Sequence, residues 1–261
     1  MTTAWFLLYN IPMIVTPYKT DPVVVGDTLF PILQKFLPPL KEKDIVAVTS
    51  KIVGICEGNI VKIHFPKEKR ALVRKLSEYY IDNDLTQRYG FQLTIANNIL
   101  IPNAGVDESN GNGYLVLWPK DPLKSAIDIW NHLKKRNNLT YLGVVITDSH
   151  TTILRKGTTG IALSWCGFSP LNNYIGTPDI FGRNLQVTYA HIADGLAASA
   201  VAVMGEGNEQ TPLAVIKEAQ QVQFQRYPPS KEELADMRWP LKEDLYAPLL
   251  MNIPWKKGKS T

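Results

Sequence analysis

The chain is poor in cysteine. Among 261 residues only Cys56 and Cys166 are cysteines, and no CxxC pair occurs. That removes a disulfide framework, a thiolate metal knuckle and a dithiol redox motif, and it fits a reducing compartment. Charge of one sign is also scarce: 28 Lys and Arg against 24 Asp and Glu leave a formal net charge of +4. So small an excess does not point to nucleic acid, whose binders gather basic residues along one face. Long apolar runs are missing too. The longest, 196–204, is far short of the ~20 residues that span a bilayer. The opening MTTAWFLLYNIPMIV has no Lys or Arg ahead of its apolar run and is interrupted by Pro12, which makes it a poor signal peptide. The expectation is a cytoplasmic protein with neither nucleic-acid nor membrane partners.

Several catalytic signatures are absent as well. Neither GxxxxGK[ST] nor GxGxxG occurs, so a Walker P-loop and a Rossmann fingerprint are excluded. There is no GxSxG elbow. His64, His132, His150 and His191 are too scattered for a zinc hydrolase motif. Cys166 follows Trp165 in an apolar, strand-like stretch and reads as a core thiol rather than a nucleophile.

What remains is ordinary globular composition, 45% hydrophobic and 20% charged, in a chain long enough to bury a sizeable core. Strand-like and helix-like segments alternate. IVAVT at 45–49, LGVVIT at 142–147 and 213–216 read as short buried strands. Residues 67–80 are apolar at helical spacing on one side and predict a surface helix. Residues 93–101 hold two β-rich pieces around Asn97-Asn98, a hairpin pattern. Asp121-Pro122 supplies an N-cap and a first helical residue for a helix to about Lys135. Residues 187–205 are apolar nearly all round and predict a buried helix. After Gln220 the chain turns rich in Pro and charge. Ser230 and Glu233 have capping-box spacing for a helix over 231–237. The rest reads as an extended tail anchored by Trp239, Leu249, Leu250, Ile253 and Trp255.

Three polar clusters follow β-rich runs, as ligand loops on a rigid scaffold do. NAGVDESN at 103–110 offers oxygen donors suited to Mg²⁺ or Mn²⁺; its plain alternative is an Asx-rich surface turn. TDSH at 147–150 puts an Asp just beyond a buried strand, with Arg155 and Gly157 close behind. Asp148 there either binds metal or caps a turn, and Arg155 could contact phosphate. In MGEGN at 204–208, Gly205 and Gly207 either admit backbone N–H groups to a phosphate or simply end a helix.

Taken in order, these segments resemble the coenzyme F420-0:γ-glutamyl ligases. IPMI at 11–14 is similar to that family's G-[IL]-P-x-[IL], and DIVAVTSKIVGICEGNI to its D-V-[LV]-V-[IV]-x-S-K stretch. NAGVDESN is close to N-A-G-I-D-x-S-N. GVVITDSHTTILRKG is similar to G-V-[IV]-I-[TS]-D-[TS] followed by R-x-G. Gly176, Asp179, Gly182, Arg183 and Leu185 match G-x-x-D-x-x-G-R-x-L. HIADGLAASAVAVMGEG matches the family's helix and its MGEG ending.

The resemblance implies an α+β fold of mixed and antiparallel sheets with packed helices, over a ligase-like domain at 1–218 and a C-terminal extension at 219–261. It implies a homodimer that joins L-glutamate to a small-molecule acceptor carboxylate through an acyl phosphate. It implies GTP, two divalent ions (Mg²⁺ or Mn²⁺) and K⁺ as cofactors. Carried over by position, Asp107, Asp148, Ser149 and Glu206 would bind metal, and Asp107, Asp148 and Arg155 would be catalytic. Ile11, Pro12, Met13, Ile14, Ser50, Lys51, Asn110, Met204, Gly205 and Gly207 would contact the nucleotide. The departures are Ile55 where the family has Lys, Gly195 where its helix has Glu, and Lys217-Glu218 where it has Arg-Gly. These leave open a ligase with another acceptor, or a non-catalytic nucleotide-binding relative. A surface-binding module led by Lys256, Lys257 and Lys259 is a third possibility.

Overall fold

The computed structural model describes residues 12–83, 88 and 90–258. Ile11 and Lys259 lie outside them. Strands are numbered along the chain. The central sheet has the order β1 (Ile14–Tyr18), β12 (Leu213–Lys217), β2 (Ile45–Thr49), β8 (Gly143–His150), β9 (Thr159–Cys166). All its pairs are antiparallel except β2 with β8. The α+β class with mixed sheets is therefore correct.

β2, β8 and β12 are continuous apolar runs because both faces of the sheet are covered. Side chains alternate along a strand. Val46, Val48, Val144 and Ile146 face α1 (Leu29–Phe36), α2 (Ser50–Cys56) and α4 (Pro122–Asn137). Ile45, Ala47 and Val145 face α5 (Ile192–Met204). Alanines at 193, 197 and 200 let α5 lie close on the sheet. As expected, Asp121 caps α4 by accepting the Lys124 N–H at 3.0 Å.

A smaller antiparallel sheet has the order β13 (Lys256–Lys257), β4 (Tyr79–Tyr80), β5 (Leu93–Ala96), β6 (Ile99–Pro102). Asn97 and Asn98 join β5 to β6 with φ of 49° and 59°, the left-handed pair that a two-residue hairpin turn requires. α3 (Pro66–Leu76) packs beside it, and β3 (Ile60–Val61) pairs with β7 (Leu115–Val116). A ribbon of β10 (Leu171–Asn173) and β11 (Tyr189–His191) precedes α5.

Three boundaries differ from the sequence pattern. α3 stops at Leu76 because Tyr79–Tyr80 pair with β5. α5 begins at Ile192 because Tyr189–His191 pair with β10. β8 runs on to His150, so Asp148 lies within the strand, opposite Ile161, rather than beyond its end.

The C-terminal segment is packed, with Trp255 an anchor as expected and others that the sequence did not mark. Phe224, Val222, Leu234 and Met237 join the α5 side of the core. Trp239 and Leu249 are 56% and 62% exposed, so they do not anchor it. The capping box forms on α6 (Lys231–Asp236): the Ser230 N–H donates to Glu233 at 2.9 Å and Glu233 N–H to Ser230 Oγ at 3.2 Å. The segment then passes Asn97 and Asn98, turns through α7 (Ala247–Leu250), and ends as β13. There Trp255 meets the Tyr79 ring edge-on at 6.5 Å, and Lys256 pairs with Asp82 at 3.2 Å.

Candidate functional site

One cleft of about 840 Å³ opens where β2 and β8 end and α2 begins. Residues from 20–24, 49–55, 101–112, 147–151 and 204–212 line it, with Phe91, Thr158 and Val201. The three polar clusters read from the sequence thus share one cavity.

Asp107 follows a 3-10 turn at Asn103–Gly105 and is pinned through its backbone. Its N–H donates to the Val116 carbonyl at 2.9 Å and its carbonyl accepts the Val116 N–H at 2.8 Å. Its carboxylate accepts the Ser109 N–H and hydroxyl, each at 2.8 Å, so the Asx turn is present. The Lys51 ammonium lies 2.6 Å from the other oxygen and donates to Ser109 Oγ at 3.1 Å. Enclosure raises the pKa of Asp107. The Lys51 contact and charge, with the two Ser109 donors, outweigh that and hold the carboxyl below the usual range.

Asp148 has the opposite balance. Part of its surface faces the cleft, but enclosure by its neighbours pushes its carboxyl up to about 6. The Trp118 indole N–H and the Ser149 N–H pull it down, and the Asp107 charge raises it further. Its negative charge is thus incompletely compensated, which is where a cation is favoured.

On the third wall, Glu206 accepts hydrogen bonds from Ser149 Oγ at 2.7 Å and Thr158 Oγ1 at 3.2 Å. Asn110 Nδ2 donates to the Gly207 carbonyl at 3.0 Å, tying the Asp107 loop to the loop after α5. Gly205 ends α5 with φ of 80°, so the helix-terminating role holds. The Gly207 N–H donates to Glu209 at 2.8 Å.

The structure brings Ser50, Lys51, Asp107, Asn110, Asp148, Ser149, Met204, Gly205, Glu206 and Gly207 to this cleft. It does not bring Arg155 there. That residue lies in the exposed 151–158 loop, its N–H bonded to the Thr152 carbonyl at 3.2 Å. Pro12, Met13 and Ile14 lead into β1 away from the lining, and Ile11 is undescribed. Sequence reading missed Thr158 and Trp118. Each is ordinary in its local pattern, and only the fold gives it a partner.

Oxygen donors for a hard cation are present in Asp107, Asp148, Ser149 and Glu206. Among the described residues no three His, Cys, Asp or Glu side chains already converge as a metal cage. Lys51 occupies the charge position next to Asp107. Thr147 Oγ1, buried at the cleft wall, has no partner among the described residues. The chemistry of the donors and the uncompensated Asp148 fit a divalent ion.

Comparison with known proteins agrees with this arrangement. Residues 18–218 match the family model described as F420-0:γ-glutamyl ligase. A protein of Methanococcus maripaludis strain C7 named coenzyme F420:L-glutamate ligase is 33% identical over 214 residues, covering 76% of this chain and 85% of that protein. Like-named proteins of Methanosarcina mazei and Methanopyrus kandleri are 31% and 30% identical, covering 68% and 78% of this chain and 75% and 86% of theirs. The matched range holds every cleft segment from 49 to 212, and the chain belongs to the F420-0:γ-glutamyl ligase family.

Proposed function

We propose that this chain is a glutamate ligase that uses GTP and divalent metal to extend a coenzyme F420-type acceptor. The observation that carries the reading is the meeting of Asp107, Asp148, Ser149 and Glu206 with Asn110 and Gly207 around one cleft. Asp107, Asp148, Ser149 and Glu206 would hold Mg²⁺ or Mn²⁺. When bound, such ions neutralise phosphate charge and orient an in-line transfer.

The chain's own residues do the rest. The acceptor carboxylate attacks the γ-phosphorus and GDP leaves. The glutamate amine then displaces phosphate from the acyl phosphate, losing a proton as the amide forms. Lys51 lines the cleft and offers positive charge to the phosphates. Val23, Val24, Ile52, Ile55 and Phe91 give the cleft an apolar side that suits a planar acceptor ring. Positioning and electrostatics supply the catalysis, so no protein nucleophile is needed.

A homodimer is part of the reading. The loop joining β10 to β11 exposes Ile180, Phe181 and Val187 at 92%, 89% and 82%, an apolar display of the kind that marks an interaction surface. A cytoplasmic location also belongs to it. Among the described residues no helix is long and apolar enough to cross a membrane.

The test is incubation with GTP, Mn²⁺, L-glutamate and the deazaflavin acceptor, read by mass spectrometry for added glutamate. Asp107→Asn should abolish the product and weaken Mn²⁺ binding while leaving the fold intact. Unchanged Mn²⁺ affinity in that variant would remove Asp107 from the site. A second reading, a ligase with a different acceptor, is favoured by the buried Ile55 at the cleft wall. Thermal stabilisation by GTP and Mn²⁺, without glutamate transfer to the deazaflavin, would select it.

A further inference from the structure

We propose that Trp118 is the positioning residue for Asp148, fixing the carboxylate that the ligase reading assigns to the metal. The inference rests on that reading. Asp148 lines the cleft and Trp118 does not. The indole Nε1–H donates to Asp148 Oδ2, which holds that oxygen in place and restricts rotation of the carboxylate. An indole N–H is a donor only. It cannot turn into a ligand or accept a proton, so it keeps its place when a cation arrives. Donors of this kind behind a liganding group set its orientation.

The indole is packed on one side, and the main chain that carries it is fixed. A Cβ on Gly105 would lie 2.0 Å from Trp118 Cε2 and 2.3 Å from its Nε1, so the ring lies against the backbone of the 103–105 turn. Gly105 has φ of 71°, in the left-handed region that suits glycine. The main chain is held by Asn59, whose Nδ2 donates to the Trp118 carbonyl at 2.6 Å and whose carbonyl accepts the Leu117 N–H at 3.0 Å. A Cβ on Gly54 would lie 2.2 Å from the Leu117 carbonyl oxygen, so α2 packs directly on this segment. The ring edge also packs against two of the three apolar clusters. Gly105 thus bounds the ring, Gly54 and Asn59 fix the main chain that carries it, and its one polar atom points at Asp148. The turn that grips the indole leads straight into Asp107, so both carboxylates are located from one structural unit.

The experiment compares wild type, Trp118→Phe and Asp148→Ala by Mn²⁺ titration calorimetry, with melting temperature measured in the absence of metal. Phenylalanine keeps most of the ring and removes the donor. The expected result is a roughly 10–100-fold loss of Mn²⁺ affinity in Trp118→Phe, and a larger loss in Asp148→Ala. A purely structural role for the ring would lower the metal-free melting temperature and leave the affinity unchanged. Wild-type affinity in Trp118→Phe beside lost binding in Asp148→Ala overturns the positioning role alone. Wild-type affinity in both variants overturns the metal reading of Asp148, and the role of Trp118 with it. Should Trp118→Phe fail to fold, the indole N–H resonances of the otherwise unaltered protein replace it. Mg²⁺ should then move one resonance, and Asp148→Asn should abolish that movement. No resonance responding to Mg²⁺ would overturn the proposal.

Discussion

Asp44 stands just before β2, 4% exposed, with Lys41 N–H donating to its carboxylate at 2.9 Å. Burial raises its carboxyl above the usual range, against the pull of the Lys41 amide and of Lys217 and Lys41. The folded chain therefore binds that proton more tightly than the unfolded chain. Stability is greatest below the unfolded value and falls as pH rises through the folded one. Asp44→Asn cannot titrate and keeps an acceptor for the Lys41 amide. It should melt above the wild type near neutrality, and the gap should close as the pH approaches ~4, the ordinary aspartate value. Scanning calorimetry at several pH values checks this. Glu218, whose charge also raises Asp44, has φ of 56°. The family's Gly at this position carries no such strain, and left-handed backbone costs a residue with a Cβ about 1–2 kcal/mol. Glu218→Gly should raise the melting temperature by roughly 2–4 °C per kcal/mol recovered. No rise would mean that the Glu218 side chain contributes contacts that offset the strain. Left-handed sites were legible where Asn marks them, as at Asn97, Asn98 and Asn138. Leu154 and Gln210, also left-handed, carry no such mark.

The contact of α5 with β9 is backbone on backbone. A Cβ on Gly160 would lie 2.4 Å from the Ala197 carbonyl oxygen. Gly160→Ala must push the helix off the strand, and overpacking of this kind costs about 1–3 kcal/mol. A melting curve should show the drop, and an unchanged curve would mean that α5 shifts freely. The same reasoning applies to the C-terminal segment. Truncation after Gln220 removes Val222, Phe224, Leu234 and Met237 from the core, each large apolar side chain being worth about 1.5–3 kcal/mol when buried. That truncation should be insoluble or melt far lower. Truncation after Arg238 keeps those four and should melt much closer to the full chain. No described residue of this segment lines the cleft, so those residues act within one chain as a strap. At this scale legibility followed burial. β2, β8 and β12 were readable because two covered faces give unbroken apolar runs. The start of α5 was not, because Tyr189 and Ala190 look helical until their pairing with β10 is known. Two of the strap's expected anchors, Trp239 and Leu249, failed for a related reason. Apolar content shows that a tail packs, but Trp239 is exposed and Phe224 packs on the core through geometry that no local pattern holds. The cleft was legible as three clusters. What brings them together, and what stands behind Asp148, came only from the fold.

For the molecule as a whole, the proposed homodimer places its weight on the loop between β10 and β11. Replacing Ile180 and Phe181 by Ser should halve the mass measured by light scattering while leaving the melting temperature of the protomer little changed. A dimer that survives the double change would move the interface elsewhere. The sheet order has a different kind of consequence, one that concerns synthesis. β12 lies between β1 and β2, with Ile14 opposite Lys217 and Ile45 opposite Ile216. A ribosome that has delivered everything through α5 has not yet made the strand that both of these need. Until residues 213–217 emerge, β1 has no place in the sheet and β2 has one open edge. Closing so long a loop is slow, and open edges attract other chains. The emergence of Leu213 is then the event that commits the nascent chain to its fold. A ribosome pausing just before it would leave the β1 and β2 edges bare for the length of the pause.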